Sequence, residues 1–363
     1  MASDPGLLRR AWRGVRRLAR LLRWGGTALA GSAVGATDGP RRLLVIYDLS
    51  SQPFSIGDIL VFQEASLVIR ARHNLGKVDV AIAYDPGKPV VPDPAFREID
   101  AESFLFHLSS ILPAAQVNPH LGSLLLFDSH RQLEAYVADN ADTYFVWPSL
   151  GQYASGEYLF YHCFNELFRD HFERHGSLPP LRSRPVALRW AERFVAEQAG
   201  AAVAVTVQLR RNAANPARNS NVDAWLAFFR QCADRYHAKF IVICALAEVD
   251  ARLRELPNVI VAKDHCTTLE QDLALLEAGA FHMGMASGPG TMVHFSDKPY
   301  CMFKWDLKRD SIRGIVREDH RYRFHFSTPL QSWIFEDETV ELLMAEFQRI
   351  WSSVPGQCGA VAK

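Results

Sequence analysis

The stretch AFHMGMASGPGTMVHFSDKPYCMF, residues 280–303, has the spacing of a ligand-binding turn. A short apolar run predicts a strand, Ser287-Gly288-Pro289-Gly290 predicts a tight turn, and a helix is expected from Thr291. Glycines let a backbone approach a ligand closely, and the free N–H groups of a helix start suit a phosphate. The turn is therefore a candidate phosphate site, although a helix capped by Ser287 with Pro289 in its first turn gives the same pattern.

Two arginines follow another predicted strand. Arg210 and Arg211 come directly after the apolar run 203–209, which also carries Gln208 near its end. A guanidinium at a strand end can bind a phosphate through two parallel hydrogen bonds. An ordinary pair of surface arginines is the alternative, and the buried character of the preceding strand makes it less attractive.

A third candidate is the carboxylate of Asp58, which follows Gly57 at the predicted start of a helix. The carboxyl ends of strands in a parallel sheet carry the sites of such folds, and a carboxylate there can accept a proton from a hydroxyl. An Asp at this position also stabilises a helix dipole or caps the helix, and the residue type alone does not separate the two roles.

The segment Lys263-Asp264-His265 follows the predicted strand 259–262, so Asp264 is a candidate for ligand recognition. Thr267 or Thr268 capping the next helix is the plainer explanation of this region. His282 and His294 lie in apolar runs and are expected to be structural.

Several chemistries lack their sequence signatures. No Asp-x-Asp motif stands at a strand end, so no metal-dependent transferase site is expected. The chain has no P-loop motif, no G-x-G-x-x-G motif and no G-x-S-x-G motif. The six cysteines form no C-x-x-C pair and are expected to be reduced, as in a cytosolic protein.

Charge is distributed unevenly along the 363 residues, whose net charge is zero. Residues 1–42 hold nine arginines and two aspartates, which leaves 31 basic and 38 acidic residues for the rest. A mildly acidic body does not predict a nucleic-acid-binding surface.

Residues 7–24 form a basic amphipathic pattern at helical spacing, with seven arginines on one side and leucines, Trp12 and Val15 on the other. Such a helix is expected to lie on an anionic membrane surface, here the cytoplasmic face, without crossing it. An organellar targeting peptide is the alternative. Residues 25–40, rich in small residues, read as a flexible tether.

Alternating strands and helices predict an α/β fold with two doubly wound, Rossmann-like domains that face each other across a cleft. Residues 1–41 are expected to be the helix and tether, 42–178 the first domain, 185–335 the second, and 336–352 a closing helix that reaches back to the first domain. The predicted strands are 42–48, 78–83, 124–127, 144–146, 203–209, 239–244, 259–262 and 300–303, and the predicted helices include 57–74, 101–112, 129–139, 156–174, 186–199, 222–237, 247–255 and 269–278.

The segment SSQPFSIGDILVFQEASLVIRARHNLGKVDVAI, residues 50–82, resembles the opening of the heptosyltransferase-like glycosyltransferases of family 9, which have the GT-B fold. Gly57 and Asp58 match the Gly-Asp of that family. The resemblance implies that Asp58 is the general base on an acceptor hydroxyl and that Ser55 and Gly57 belong to the acceptor-side loop.

The segment AVTVQLRRNAANPARNSN resembles the fucosyltransferase motif in which a strand leads into Arg-Arg. The resemblance implies that Arg210 binds the donor diphosphate. Gln208 stands where that family commonly has His. Both families place a small-residue turn against the diphosphate at residues 287–291, where this chain has Ala286 in place of the Asp of an Asp-Thr-Gly pattern.

Together these resemblances imply a glycosyltransferase that moves a sugar from a nucleotide-diphosphate sugar to a glycan or lipid-linked acceptor in cell-envelope polysaccharide synthesis. They imply an inverting, metal-independent reaction that needs no cofactor beyond the nucleotide sugar as co-substrate. A nucleotide-sugar epimerase on the same scaffold and a catalytically silent binding protein are the alternatives.

Overall fold

The computed structural model describes residues 41–49, 52, 55–84, 108–109, 111–148, 161–212, 216–304, 315–318 and 321–354. The amphipathic helix and tether predicted for residues 1–40 lie outside these ranges. The described residues form two sheets of mainly parallel strands covered by helices, so the predicted α/β class is confirmed.

The first sheet has four parallel strands in the order β3-β2-β1-β4. The two central strands β1 and β2 are buried on both faces, as is usual in parallel sheets, whereas Phe127 is the one buried residue of the edge strand β3. Leu43, Val45 and Tyr47 of β1 face one core, while Leu44 and Ile46 face another. The elements of this half are β1 Arg42–Asp48, α1 Ile56–Arg72, β2 Val78–Ala83, β3 Leu121–Phe127, α2 His130–Asp139, β4 Tyr144–Trp147 and α3 Tyr161–His175.

The second sheet has eight strands in the order β10-β11-β12-β9-β8-β5-β6-β7. The last six strands in this order are all parallel to their neighbours within that group. Strands β10 to β12 form an antiparallel extension that the sequence did not predict. The elements are α4 Pro185–Ala199, β5 Val203–Gln208, α5 Val222–Ala233, β6 Ala238–Ile243, β7 Val259–Val261, α6 Leu269–Ala278, β8 Phe281–Met285, β9 Tyr300–Phe303, β10 Ile315–Glu318, β11 Arg321–Phe324, β12 Gln331–Ile334 and α7 Val340–Trp351.

Three helix predictions need correction. The segment 247–255 forms two short 3₁₀ turns, because the Asp250 side chain accepts a hydrogen bond from the Arg252 N–H and starts a new turn. Helix α5 ends at Ala233, four residues before the predicted end. The segment after Gly288 is a 3₁₀ helix, Pro289–Val293, in place of an α-helix.

The closing helix α7 packs on the second sheet. Phe347 lies in contact with Phe228, Phe240 and Phe281, with ring centroids 5.6–5.8 Å apart. These aromatic contacts belong to the core between α5 and the sheet. The expectation that this helix reaches back to the first half is therefore wrong, since its apolar face is used within the second half.

Helix α3 joins the two halves. Phe168 is buried against Phe295, with the ring centroids 5.1 Å apart, and lies near Phe326 at 6.2 Å. One continuous apolar core includes Phe62 of α1 and these rings. The two sheets are thus held by shared packing as well as by the connecting chain.

Candidate functional site

The first residues of α1 hold Asp58 at the carboxyl edge of the first sheet. Ser55 is the N-cap residue, and its hydroxyl oxygen accepts the Asp58 backbone N–H at 3.1 Å. The Ser55 hydroxyl in turn donates to the Asp58 carboxylate. Ser55 is therefore the capping residue in place of Asp58, and its hydroxyl holds the Asp58 carboxylate in the first turn of the helix, where a negative charge also stabilises the helix dipole.

The turn at residues 287–291 lies directly against this helix start. A Cβ atom placed on Gly288 would lie 3.0 Å from the Gly57 backbone nitrogen, and one placed on Gly57 would lie 3.3 Å from the Gly288 Cα. A side chain at either position would have to push the neighbouring backbone away by a few tenths of an ångström. Asp58 and the predicted phosphate turn, 230 residues apart in the chain, therefore share one site.

The hydroxyl of Ser287 adds a polar group to this turn. Its oxygen is buried and has no hydrogen-bond partner in the described part of the chain. Pro289 is the first residue of the 3₁₀ helix, and Gly290 and Thr291 follow it as buried residues. A ligand with acceptor oxygens would satisfy the Ser287 hydroxyl, since an orphaned buried polar group costs about 1–3 kcal/mol.

Strands β5 and β8 bring Arg210 to the same edge as the turn. Gln208 pairs with Gly284 on β8. Gly284 has a φ of +144°, and a Cβ built on it would lie 2.4 Å from the Gln208 carbonyl oxygen, so this position requires glycine. Arg210 therefore follows its strand at the level of Ala286. Its backbone N–H donates to the Ser220 hydroxyl at 2.9 Å, and the Ser220 N–H donates back to the Arg210 carbonyl at 2.9 Å.

The buried side-chain amide of Gln208 uses one of its two polar atoms within the described part of the protein. Its amide nitrogen donates to the Leu209 carbonyl at 3.1 Å, which assigns the other side-chain atom as the oxygen. That oxygen is buried, and none of the described residues donates to it. Gln208 can thus accept a hydrogen bond from a ligand hydroxyl or amide.

Two cations at this edge were missed by sequence reasoning. The Arg218 guanidinium donates to the Ala286 carbonyl at the base of the turn. Lys304 follows β9, and its ammonium donates to the Asn219 carbonyl at 2.6 Å and lies 3.2 Å from the buried carboxylate of Glu338. The position of Lys304 directly after an apolar strand is the same signal that pointed to Arg210, whereas Arg218 had no such signal.

Basic groups lie at the strand ends beside the turn. Arg210 follows β5, the Arg218 guanidinium reaches the Ala286 carbonyl after β8, and Lys304 follows β9 and pairs with the buried carboxylate of Glu338. Guanidinium, ammonium and backbone N–H groups at such an edge can stabilise an anion.

Asp264 and Arg211 lie apart from this cluster. Asp264 forms a bidentate ion pair with Arg254, at 2.8 and 2.6 Å, and this pairing lowers the pKa of the Asp264 carboxyl. Arg211 is exposed. The Asp250 carboxyl has a lowered pKa chiefly because Arg252 hydrogen-bonds to it, with a smaller contribution from the charge of Arg211. The described contacts therefore connect neither residue to the turn.

A second carboxylate at the edge of the first sheet was also missed. Asp48 ends β1 and is fully buried, and its carboxylate lies 2.9 Å from the Nε2 of His130 at the start of α2. The nearby Gln52 N–H donates to the Asp48 carbonyl at 2.8 Å. Hydrogen-bonding groups thus line this edge beside Asp58.

The buried histidines of the second half are neutral. His282 bonds Thr206 through Nδ1 at 3.1 Å, and His294 lies against Met302. Burial lowers the pKa of each imidazole to about 3. Neither carries charge at neutral pH.

Within the described ranges, no group of three or more His, Cys, Asp or Glu side chains is placed to hold a metal ion. None of the helices in those ranges has the length and hydropathy of a membrane span.

The chain shares its fold with glycosyltransferases of known structure. A glycosyl transferase of family 9 from Veillonella parvula superposes with a TM-score of 0.51 at 10% identity, over 85% of this chain and 97% of that one. The E. coli ADP-heptose LPS heptosyltransferase II gives 0.51 at 12% identity, over 85% and 98%. No protein-family model matches the chain, and no curated protein matches it. At these identities the likeness establishes the GT-B-like fold.

Proposed function

We propose that the protein is a glycosyltransferase that moves a sugar from a nucleotide-diphosphate sugar to a glycan or lipid-linked acceptor in cell-envelope synthesis. The observation that carries the proposal is the contact between Gly57 and Gly288, which sets the helix start that bears Asp58 against the turn, with Arg218 and Lys304 at the neighbouring strand ends. One side of the cleft thus offers a base, and the other offers groups suited to a leaving anion. The similarity of fold to a heptosyltransferase agrees with this division.

In the proposed reaction, Asp58 accepts the proton of the acceptor hydroxyl as its oxygen attacks the anomeric carbon. The bond from that carbon to the diphosphate breaks, and the nucleoside diphosphate leaves with the electron pair. Arg210, Arg218 and the backbone N–H groups of Gly288 and Gly290 stabilise its charge in place of a metal. Attack from the face opposite the leaving group inverts the anomeric centre.

The substitutions Asp58→Asn and Ser55→Ala separate catalysis from helix capping. Asp58→Asn should lower the transfer rate by about 10²–10⁴-fold, because general-base assistance is lost, while binding of a nucleoside diphosphate stays within about twofold. Ser55→Ala should cost about 1 kcal/mol of stability and, because it also removes the hydroxyl that donates to the carboxylate, should lower the transfer rate, but by less than Asp58→Asn does. The measurements are transfer rates with a panel of nucleotide sugars and acceptors, and calorimetric binding of UDP, GDP and ADP.

Two results would contradict the proposal. Full activity of Asp58→Asn would mean that the carboxylate only stabilises the first turn of α1. Turnover of a nucleotide sugar to an isomer without any acceptor would point to an epimerase.

We also propose that residues 7–24 hold the enzyme on the cytoplasmic face of the membrane, since seven arginines share one side of the predicted helix. Cosedimentation of the full chain with vesicles containing 30 mol% phosphatidylserine should exceed that of a chain lacking residues 1–40 by about tenfold or more, and should fall with salt. Equal cosedimentation of both chains would refute the attachment.

A further inference from the structure

Lys304 adopts a backbone conformation that lysine rarely takes. Its φ is +54°, in the left-handed region, at the carboxyl end of β9. For a residue with a side chain this conformation is unfavourable, because Cβ crowds the following carbonyl oxygen, and such outliers concentrate at functional sites. The neighbouring strand end is the base of the turn, because the Ala286 N–H donates to the Phe303 carbonyl at 3.0 Å.

The ammonium of Lys304 has three hydrogens to donate, and its three neighbours differ in kind. Two are fixed oxygens: the Asn219 carbonyl at 2.6 Å and the Glu338 carboxylate at 3.2 Å, whose side chain is fully buried. The third is the Asp337 carboxylate at 3.4 Å, whose side chain is 84% exposed. A pair with an exposed carboxylate is weak, because water competes for both charges, so a stronger anion can replace it.

Glu338 connects the Lys304 ammonium to the chain segment that carries Arg218. The Asn221 N–H donates to the same carboxylate that pairs with Lys304. Asn221 ends the segment that also carries Arg218, which reaches Ala286, and Ser220, which holds Arg210. Lys304 is therefore fixed relative to the proposed diphosphate site by a buried partner, while Asp337 contributes no such constraint.

We propose that Lys304 binds a phosphate oxygen of the diphosphate ligand, and that this oxygen displaces Asp337. The inference rests on the proposed function, since it names a further ligand of the same anion site. Asp337 then acts as an internal competitor that weakens the binding of anions at this position.

The decisive variant is Asp337→Asn, which removes an exposed charge and leaves the buried network intact. It should tighten binding of inorganic pyrophosphate, measured by calorimetry at fixed ionic strength, by about two- to fivefold. Glu336→Gln is the matched control, because it removes an exposed carboxylate one residue away for which the described residues show no ion pair. It should change the affinity by less than half as much.

A second arm tests the lysine itself. Lys304→Met combined with Glu338→Gln removes both members of the buried pair and avoids an isolated buried charge. In that background pyrophosphate affinity should fall by about tenfold or more, and Asp337→Asn should add nothing.

Two other results would refute either the role of Lys304 alone or the whole diphosphate site. If Asp337→Asn binds pyrophosphate no more tightly than Glu336→Gln, while Arg210→Ala abolishes binding, the role of Lys304 is refuted and the diphosphate site stands. If the unmodified chain binds neither pyrophosphate nor any nucleoside diphosphate, both the inference and the proposed function are refuted.

Discussion

The site depends on two positions where a side chain would press against a neighbouring backbone. Gly57 and Gly288 bring a helix start and a turn into backbone contact, with 3.0 Å between a built Gly288 Cβ and the Gly57 nitrogen. At Gly288 the requirement concerns space, since its φ is −51° and any residue could adopt that backbone. The sequence showed both glycines, yet only the fold reveals that they touch.

Gly288→Ala should therefore separate a steric effect from backbone strain. The added methyl group pushes α1 and the turn apart, so transfer should fall by about tenfold or more, with a modest loss of stability. Gly176→Ala is the control, because Gly176 has a φ of +73° with no atom within 4 Å of a built Cβ. It should lose about 1 kcal/mol of stability through strain and keep its activity. Melting temperatures and initial rates of the two variants decide the matter, and equal activity losses would contradict this account.

At the scale of elements, α1 differs from a surface helix. Residues 59–69 are all buried, among them the polar side chains of Gln63, Glu64 and Ser66. A helix buried on all sides sits in the middle of a protein, here between the first sheet and the turn of the second half. Its buried polar residues gave no sequence signal, because Glu in a helix is ordinarily exposed.

The buried Glu64 of this helix should make the free energy of unfolding depend on pH. It is fully buried, no described residue bonds either oxygen, and burial raises the pKa of its carboxyl well above the usual value. The folded state thus keeps a proton that the unfolded state loses above about pH 4.5, so this group lowers the free energy of unfolding as pH rises, by about 1.4 kcal/mol per pH unit until the folded pKa is reached.

Glu64→Gln removes that dependence while keeping the shape. Its gain in the free energy of unfolding over the unmodified chain should be small at pH 5 and grow toward pH 8, as measured by urea titrations at several pH values. A gain that is independent of pH, or largest at pH 5, would contradict a protonated Glu64. The lowered pKa values of His282 and His294 make the free energy of unfolding fall as the pH drops below 6.5. This effect is the same in both proteins, so it cancels from the difference between them.

At the scale of the whole molecule, periodicity predicted the parallel strands well. Strands β1, β2 and β9 and helix α6 have the predicted bounds, because short apolar runs bounded by turn residues admit few alternatives. Strands β10 to β12 were missed, since RYRF and QSWI lack the apolar runs by which the other strands were recognised. Ring contacts such as Phe347 with Phe240 depend on tertiary packing that no local pattern encodes.

The candidate site was predictable only in part. Asp58, Arg210 and residues 287–291 follow signals tied to strand ends and helix starts, and the structure brings them to one place. Arg218 and Glu338 lie in loops far away in the sequence, so their roles come from contacts alone. The domain bounds at 178 and 185 remain a prediction.

Truncation of Phe168 tests whether the two halves unfold as one unit. Phe168→Ala should lower the free energy of unfolding by about 3–5 kcal/mol, because it leaves a cavity beside Phe295 in the shared core. Hydrogen exchange should show both sheets losing protection at the same, lower denaturant concentration. Leu246→Ala, a truncation at a side chain 68% exposed, should change stability by less than about 0.5 kcal/mol. Separate unfolding of the two sheets in the unmodified chain would contradict the shared core.

The contact of Gly57 with Gly288 also restricts how the two halves could move against each other. Because the two backbones already touch there, neither half can move closer at that point, and any rotation of one half about it would open the far side of the interface most. A swing of a few degrees would admit a bulky substrate on that side while the distance between Asp58 and the turn hardly changes.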